Sequence, residues 1–106
     1  MIRKLSILLL VFTGSVNLNF AQGTWSTVAA MPTGRQHLTS ATYDGKIYVF
    51  GGEGISNNQM LTTLEMYDPG ANSWSARAPM PGAIGFCNAA TVGTKIYVIG
   101  GWNGRF

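Results

Sequence analysis

The sequence predicts an all-β fold assembled from repeated hairpin units, and three observations carry the prediction. First, residue types recur at one fixed offset of 49 positions: Trp25 as Trp74, Met31-Pro32 as Met80-Pro81, Lys46-Ile47-Tyr48-Val49 as Lys95-Ile96-Tyr97-Val98, and Gly51-Gly52 as Gly100-Gly101. Chance does not hold one spacing across so many uncommon residues, and a period near 50 points to a propeller or solenoid. Second, Asp44-Gly45 sits between two β-favouring runs, a strong two-residue hairpin signal. Third, helical periodicity is missing beyond the first twenty or so residues.

The elements follow in order. Residues 1–21 read as a secretory signal peptide: Arg3 and Lys4 open it, Leu5 to Phe12 form an apolar core, and a polar stretch runs to Ala21, where cleavage is expected. That core is too short for the roughly 20 residues a membrane-spanning helix needs, so no membrane anchor is expected. Residues 22–36 are assigned to the outer strand of a preceding unit, around Trp25, and a linker. Residues 37–80 make a complete four-stranded unit: His37 to Tyr43, Lys46 to Phe50, Leu61 to Tyr67, and Ser73 to Ala76. Asp68-Pro69-Gly70-Ala71-Asn72 forms the turn before the last strand, with proline fixing one dihedral and Asp and Asn closing local hydrogen bonds. Residues 81–106 supply the inner half of the next unit.

Composition narrows the function. The chain of 106 residues carries a net charge of +3, but Arg3 and Lys4 lie in the signal. The remainder sets Arg35, Lys46, Arg77, Lys95 and Arg105 against Asp44, Glu53, Glu65 and Asp68, with no basic cluster to displace counterions from phosphates. Nucleic acid is therefore not an expected partner. Cys87 stands alone, which rules out a disulfide framework within the chain and reads as a small apolar strand residue. His37 is the sole histidine, so no metal site of paired histidines is expected. Gly51-Gly52-Glu53-Gly54 lacks the Gly-Lys-Ser/Thr and the following helix of a phosphate loop.

The segments Phe50-Gly51-Gly52, Leu64-Glu65-Met66-Tyr67-Asp68-Pro69, Asn72-Ser73-Trp74 and Met80-Pro81 closely resemble the kelch repeat, from about Trp25 to Trp102. The resemblance implies four-stranded blades arranged around a central channel: about two blades here, an incomplete ring that further blades of the same chain or of other copies would complete. It also implies that the entry to each innermost strand and the loop after each double glycine lie toward one face of the ring. The two copies differ there, since Arg35-Gln36-His37 becomes Ile84-Gly85-Phe86 and Glu53 to Asn57 becomes Trp102 to Phe106. Function commonly resides in variable loops on a rigid scaffold. By resemblance, the ligand-contact candidates are therefore Arg35, His37, Glu53, Asn57, Trp102, Asn103 and Arg105. No catalytic residue, metal or cofactor is assigned.

The functional expectation is an exported binding module, secreted or periplasmic and part of a longer protein, that recognises a protein, peptide or glycan. The alternatives are a sugar-acting enzyme similar to a sialic-acid mutarotase, with Arg35, His37 and Glu53 as acid–base groups, and a gene fragment without function. A copper-dependent galactose oxidase type needs two histidines and is incomplete here.

Overall fold

A computed structural model describes residues 23–105. The expected signal peptide lies outside the described residues. Within them the regular structure is all β, in eight strands: β1 (Arg35–Gln36), β2 (Thr39–Tyr43), β3 (Lys46–Phe50), β4 (Glu53–Gly54), β5 (Leu64–Asp68), β6 (Ser73–Arg77), β7 (Asn88–Val92) and β8 (Lys95–Ile99). Strands β2-β3-β5-β6 form one antiparallel sheet in that order, a complete blade. Strands β7 and β8 pair as the inner half of a second blade.

The two tight hairpins repeat in register but not in turn chemistry. Tyr43 pairs with Lys46 across Asp44-Gly45, and both turn residues have positive φ, 51° and 71°, as a type I′ turn requires. Val92 pairs with Lys95 across Gly93-Thr94. There only Gly93 is left-handed, at 60°, the sign pattern of a type II′ turn with glycine first. At the other end of the blade, Asp68 Oδ1 accepts the Gly70 N–H at 2.9 Å. Asn72, with φ of 49°, returns the chain to β6.

The core sits in the blade's two central strands. Val49 and Phe50 of β3, Met66 and Tyr67 of β5, and Cys87 are buried. Because β5 buries Glu65, Met66 and Tyr67 in succession, both faces of the sheet are covered at this strand, whereas the outer strand β6 is mostly exposed. Consecutive blades meet at repeat-equivalent residues: Phe86 N–H donates to His37 O at 3.0 Å, and Thr91 Oγ1 donates to Thr42 O, 49 residues away, at 2.6 Å. The linker into the second blade is laced across the first by Met80 N–H to Thr62 O, Ile84 N–H to Leu61 O and Gly52 N–H to Ile84 O.

Three expectations are corrected in detail. The innermost strand begins at Thr39, not His37, because His37 has φ of 54°, which breaks the extended conformation. The third strand begins at Leu64, not Leu61. Residues 61–63 instead meet the double glycine, through Leu61 N–H to Gly52 O and Gly51 N–H to Thr63 O. The segment around Trp25 forms no strand, and Trp25 is 99% exposed, since no described strand lies alongside to take its backbone hydrogen bonds. It is held at Ala29 instead, whose N–H donates to Asn72 Oδ1 at 2.9 Å and whose carbonyl accepts Trp74 Nε1–H at 2.8 Å.

Candidate functional site

The double glycine sets where the loops begin. Gly51 and Gly52 have φ of 54° and 91°, a region that L side chains enter only at a cost. A Cβ on Gly51 would stand 2.1 Å from Ile84 O, and one on Gly52 would stand 2.6 Å from Gln36 O. Backbone crosses backbone here, so the chain leaves β3 sharply and turns outward into β4. That short strand pairs with β1 in the register Arg35↔Gly54 and Gln36↔Glu53, a pairing that the sequence did not announce. The turn beyond β4 closes on itself, with Gly54 N–H bonded to Gln59 O and Asn58 N–H bonded to Gly54 O.

Four of the seven candidates converge. Glu53, from the loop after the first double glycine, lines a cavity of about 570 Å3 together with Trp102, Asn103 and Arg105 from the loop after the second. Gln59 and Met60 complete much of its wall and are contacts that sequence comparison missed, because they lie beyond the aligned loop positions. The second loop is braced internally. Trp102 Nε1–H donates to Arg105 O at 2.8 Å, and Asn103 Oδ1 accepts the Arg105 N–H at 3.0 Å. Trp102 is also tied to the neighbouring segment by paired backbone bonds with Gly85, at 2.8 and 2.9 Å.

His37 belongs to the same region through an aromatic row. Its ring stacks on Phe86 at 4.1 Å between centroids, and Phe86 meets Trp102 edge-on at 6.3 Å. Phe86 is the repeat equivalent of His37 and lies two residues before β7; the sequence-derived candidates did not include it.

Arg35 and Asn57 do not join the site. The Arg35 side chain is wholly buried, with Nη2 3.0 Å from Glu65 Oε1. Its Nη1 donates to Gly51 O at 2.9 Å and to Thr63 O at 3.0 Å. Thr33 Oγ1 donates to the other oxygen of Glu65. The expectation of Arg35 as a ligand contact is therefore corrected: a guanidinium is costly to bury unless paired, and here it ties two loop carbonyls to a carboxylate inside the blade. Asn57 is exposed on the loop turn, where its Oδ1 accepts the Gln59 N–H at 3.2 Å, and it is not among the cavity's lining residues.

What the site holds chemically is one carboxylate, one guanidinium, three carboxamides (Asn58, Gln59 and Asn103), a thioether and an indole around a concave surface, with two further rings beside it. Among the described residues no group of His, Cys, Asp and Glu is placed to hold a metal ion.

Comparison with known proteins agrees with this architecture. Residues 34–81 and 84–106 match the family model described as the kelch motif. The chain is 38% identical over 48 residues to F-box/kelch-repeat protein At1g16250 of Arabidopsis thaliana, covering 45% of this chain and 12% of that protein. It is 42% identical over 53 residues to N-acetylneuraminate epimerase of Shigella flexneri, covering 46% of this chain and 14% of that protein. Among solved structures, that of YjhT superimposes with a TM-score of 0.69 at 35% identity, covering 76% of this chain and 25% of that one. The chain thus spans only a small part of the length of these relatives. With one complete blade, half of a second and the kelch motif running through both, the chain belongs to the kelch-repeat family.

Proposed function

We propose that this chain is a ligand-binding part of an exported kelch protein, acting in the periplasm or outside the cell, whose loop face grips its ligand without altering it. The supporting observation is the convergence of two repeat-equivalent loops on one cavity: Glu53 and Trp102 occupy equivalent positions in their repeats and line the same concavity. A cavity of about 570 Å3 falls in the range of pockets that enclose small ligands. Its charged and amide side chains supply directional contacts around an aromatic wall. Further blades, in the same chain or from other copies, would cover the faces left open.

A second reading, sugar-acting catalysis, draws on the similarity to N-acetylneuraminate epimerase. Fold likeness alone does not carry an activity. With Arg35 committed inside the blade, Glu53 and His37 are the acid–base groups this chain would bring.

Glycan and peptide arrays probed with the full-length protein test the proposal. Ligand capture should fall about tenfold or more in Glu53→Ala and in Arg105→Ala, the scale of losing one well-placed charged contact. Both variants should remain folded. Capture that neither substitution changes sinks the proposed site. Accelerated exchange of N-acetylneuraminate anomers in NMR, abolished by Glu53→Gln, selects the catalytic reading over the binding one.

A further inference from the structure

Phe86 is out of place as a packing residue. Its φ is 56°, in the left-handed region where a bulky side chain is an outlier, and 51% of its surface remains exposed. Its repeat equivalent His37 is also left-handed, at 54°, and exposed. The fold therefore demands positive φ at this point of each repeat, a conformation that glycine adopts freely. Both positions carry aromatic rings instead, and the rings stack on each other at 4.1 Å. Retaining strain at an exposed site runs against stability, and such residues cluster where ligands bind.

Resting on the binding reading above, we infer that Phe86, flanked by His37 and Trp102, is the ligand-contact residue of the loop face, and that the ligand is a saccharide whose ring lies against this aromatic row. A pyranose presents C–H groups on one face and hydroxyls around its edge. The row supplies the matching apolar surface: Phe86 stacks on His37 at 4.1 Å and meets Trp102 edge-on at 6.3 Å, while Trp102 continues into the cavity wall. The edge hydroxyls find bidentate partners in Glu53, Gln59, Asn103 and Arg105, which line that same cavity. A pyranose meets both features with one rigid ring, its C–H face against the aromatic row and its hydroxyl edge toward the carboxylate, amide and guanidinium groups, and that pairing favours the sugar.

Backbone strain makes the test discriminating. In Phe86→Gly the left-handed backbone is relaxed while the ring is removed. The relief and the lost stacking are of similar size, so the thermal midpoint should hold. Titration of the full-length protein with N-acetylneuraminate, galactose and N-acetylglucosamine should show saccharide binding that weakens about tenfold or more in Phe86→Gly and survives in Phe86→Tyr. Unchanged affinity in Phe86→Gly overturns the inference. Should Phe86→Gly fail to fold, the wild-type protein still decides: sugar resonances must show saturation transfer from the Phe86 ring, and its absence overturns the assignment. Peptide capture without saccharide binding overturns the sugar and leaves the loop-face module standing. Binding of neither removes both.

Discussion

Replacing Arg35 by methionine is the most direct challenge to the energetic account of the blade. The side chain is fully buried, pairs with Glu65 at 3.0 Å, and donates to the carbonyls of Gly51 and Thr63. Methionine keeps the volume and removes the charge, so the buried Glu65 carboxylate retains Thr33 as its hydrogen-bond partner and loses its counter-ion. Breaking one side of a buried pair costs about 3–5 kcal/mol, because the surviving charge stays desolvated. The two lost charge-assisted hydrogen bonds fall within that figure and are not added to it. About 4 kcal/mol is a large share of the roughly 5–15 kcal/mol that holds a domain together. Urea unfolding followed by tryptophan fluorescence measures it. The double variant Arg35→Met/Glu65→Leu should recover much of the loss, since an apolar pair of similar shape satisfies the same space, giving a coupling of at least about 2 kcal/mol in the double-mutant cycle. A cost below about 1 kcal/mol for Arg35→Met, or additive costs in the cycle, would refute the reasoning. Position 84, the equivalent of Arg35, holds isoleucine, so an apolar residue is already compatible with this backbone.

Two further perturbations probe the blade junction and the outer strand. Gly51→Ala forces a Cβ to within 2.1 Å of Ile84 O, whereas Gly100→Ala meets no atom within 4 Å. Both carry the left-handed penalty of about 1–2 kcal/mol, so the excess loss in Gly51→Ala, measured by thermal melting, isolates the blade-on-blade contact; equal losses would deny it. Trp74→Phe keeps the ring beside Tyr67 but removes the indole N–H bond to Ala29 O, about 1 kcal/mol in a partly buried setting. Faster hydrogen exchange at the Ala29 amide, itself bonded to Asn72, should accompany that loss, and unchanged exchange would show that the segment is held by other means.

What was legible in the sequence was whatever the repeat encodes locally. The Asp44-Gly45 turn, the double glycines and the β-branched strands announce themselves by residue type, because a two-residue hairpin and a positive φ each admit few amino acids. Arg35 was misread for the opposite reason. A basic residue in a variable segment looks like a surface contact, and only the return of β5 brings Glu65 beneath it. The sequence separation of 30 residues between these two contains no local signal. The β1–β4 pairing was hidden in the same way, since two-residue strands carry no periodicity.

The same separation between local and non-local information explains the site. Phe50 and Ile99 are repeat equivalents of like chemistry, yet one is 6% exposed and the other 63%, because β5 pairs along β3, with Phe50 opposite Leu64, while no described strand pairs with the free edge of β8. Residue type therefore does not fix burial in a repeat fold; the neighbouring repeat does. His37 and Phe86 sit where the two repeats meet, stacked at 4.1 Å, and both keep a left-handed backbone there. An aromatic held in a left-handed conformation beside both loops makes position 86 a sharper probe of the proposed site than any charged residue on the loops.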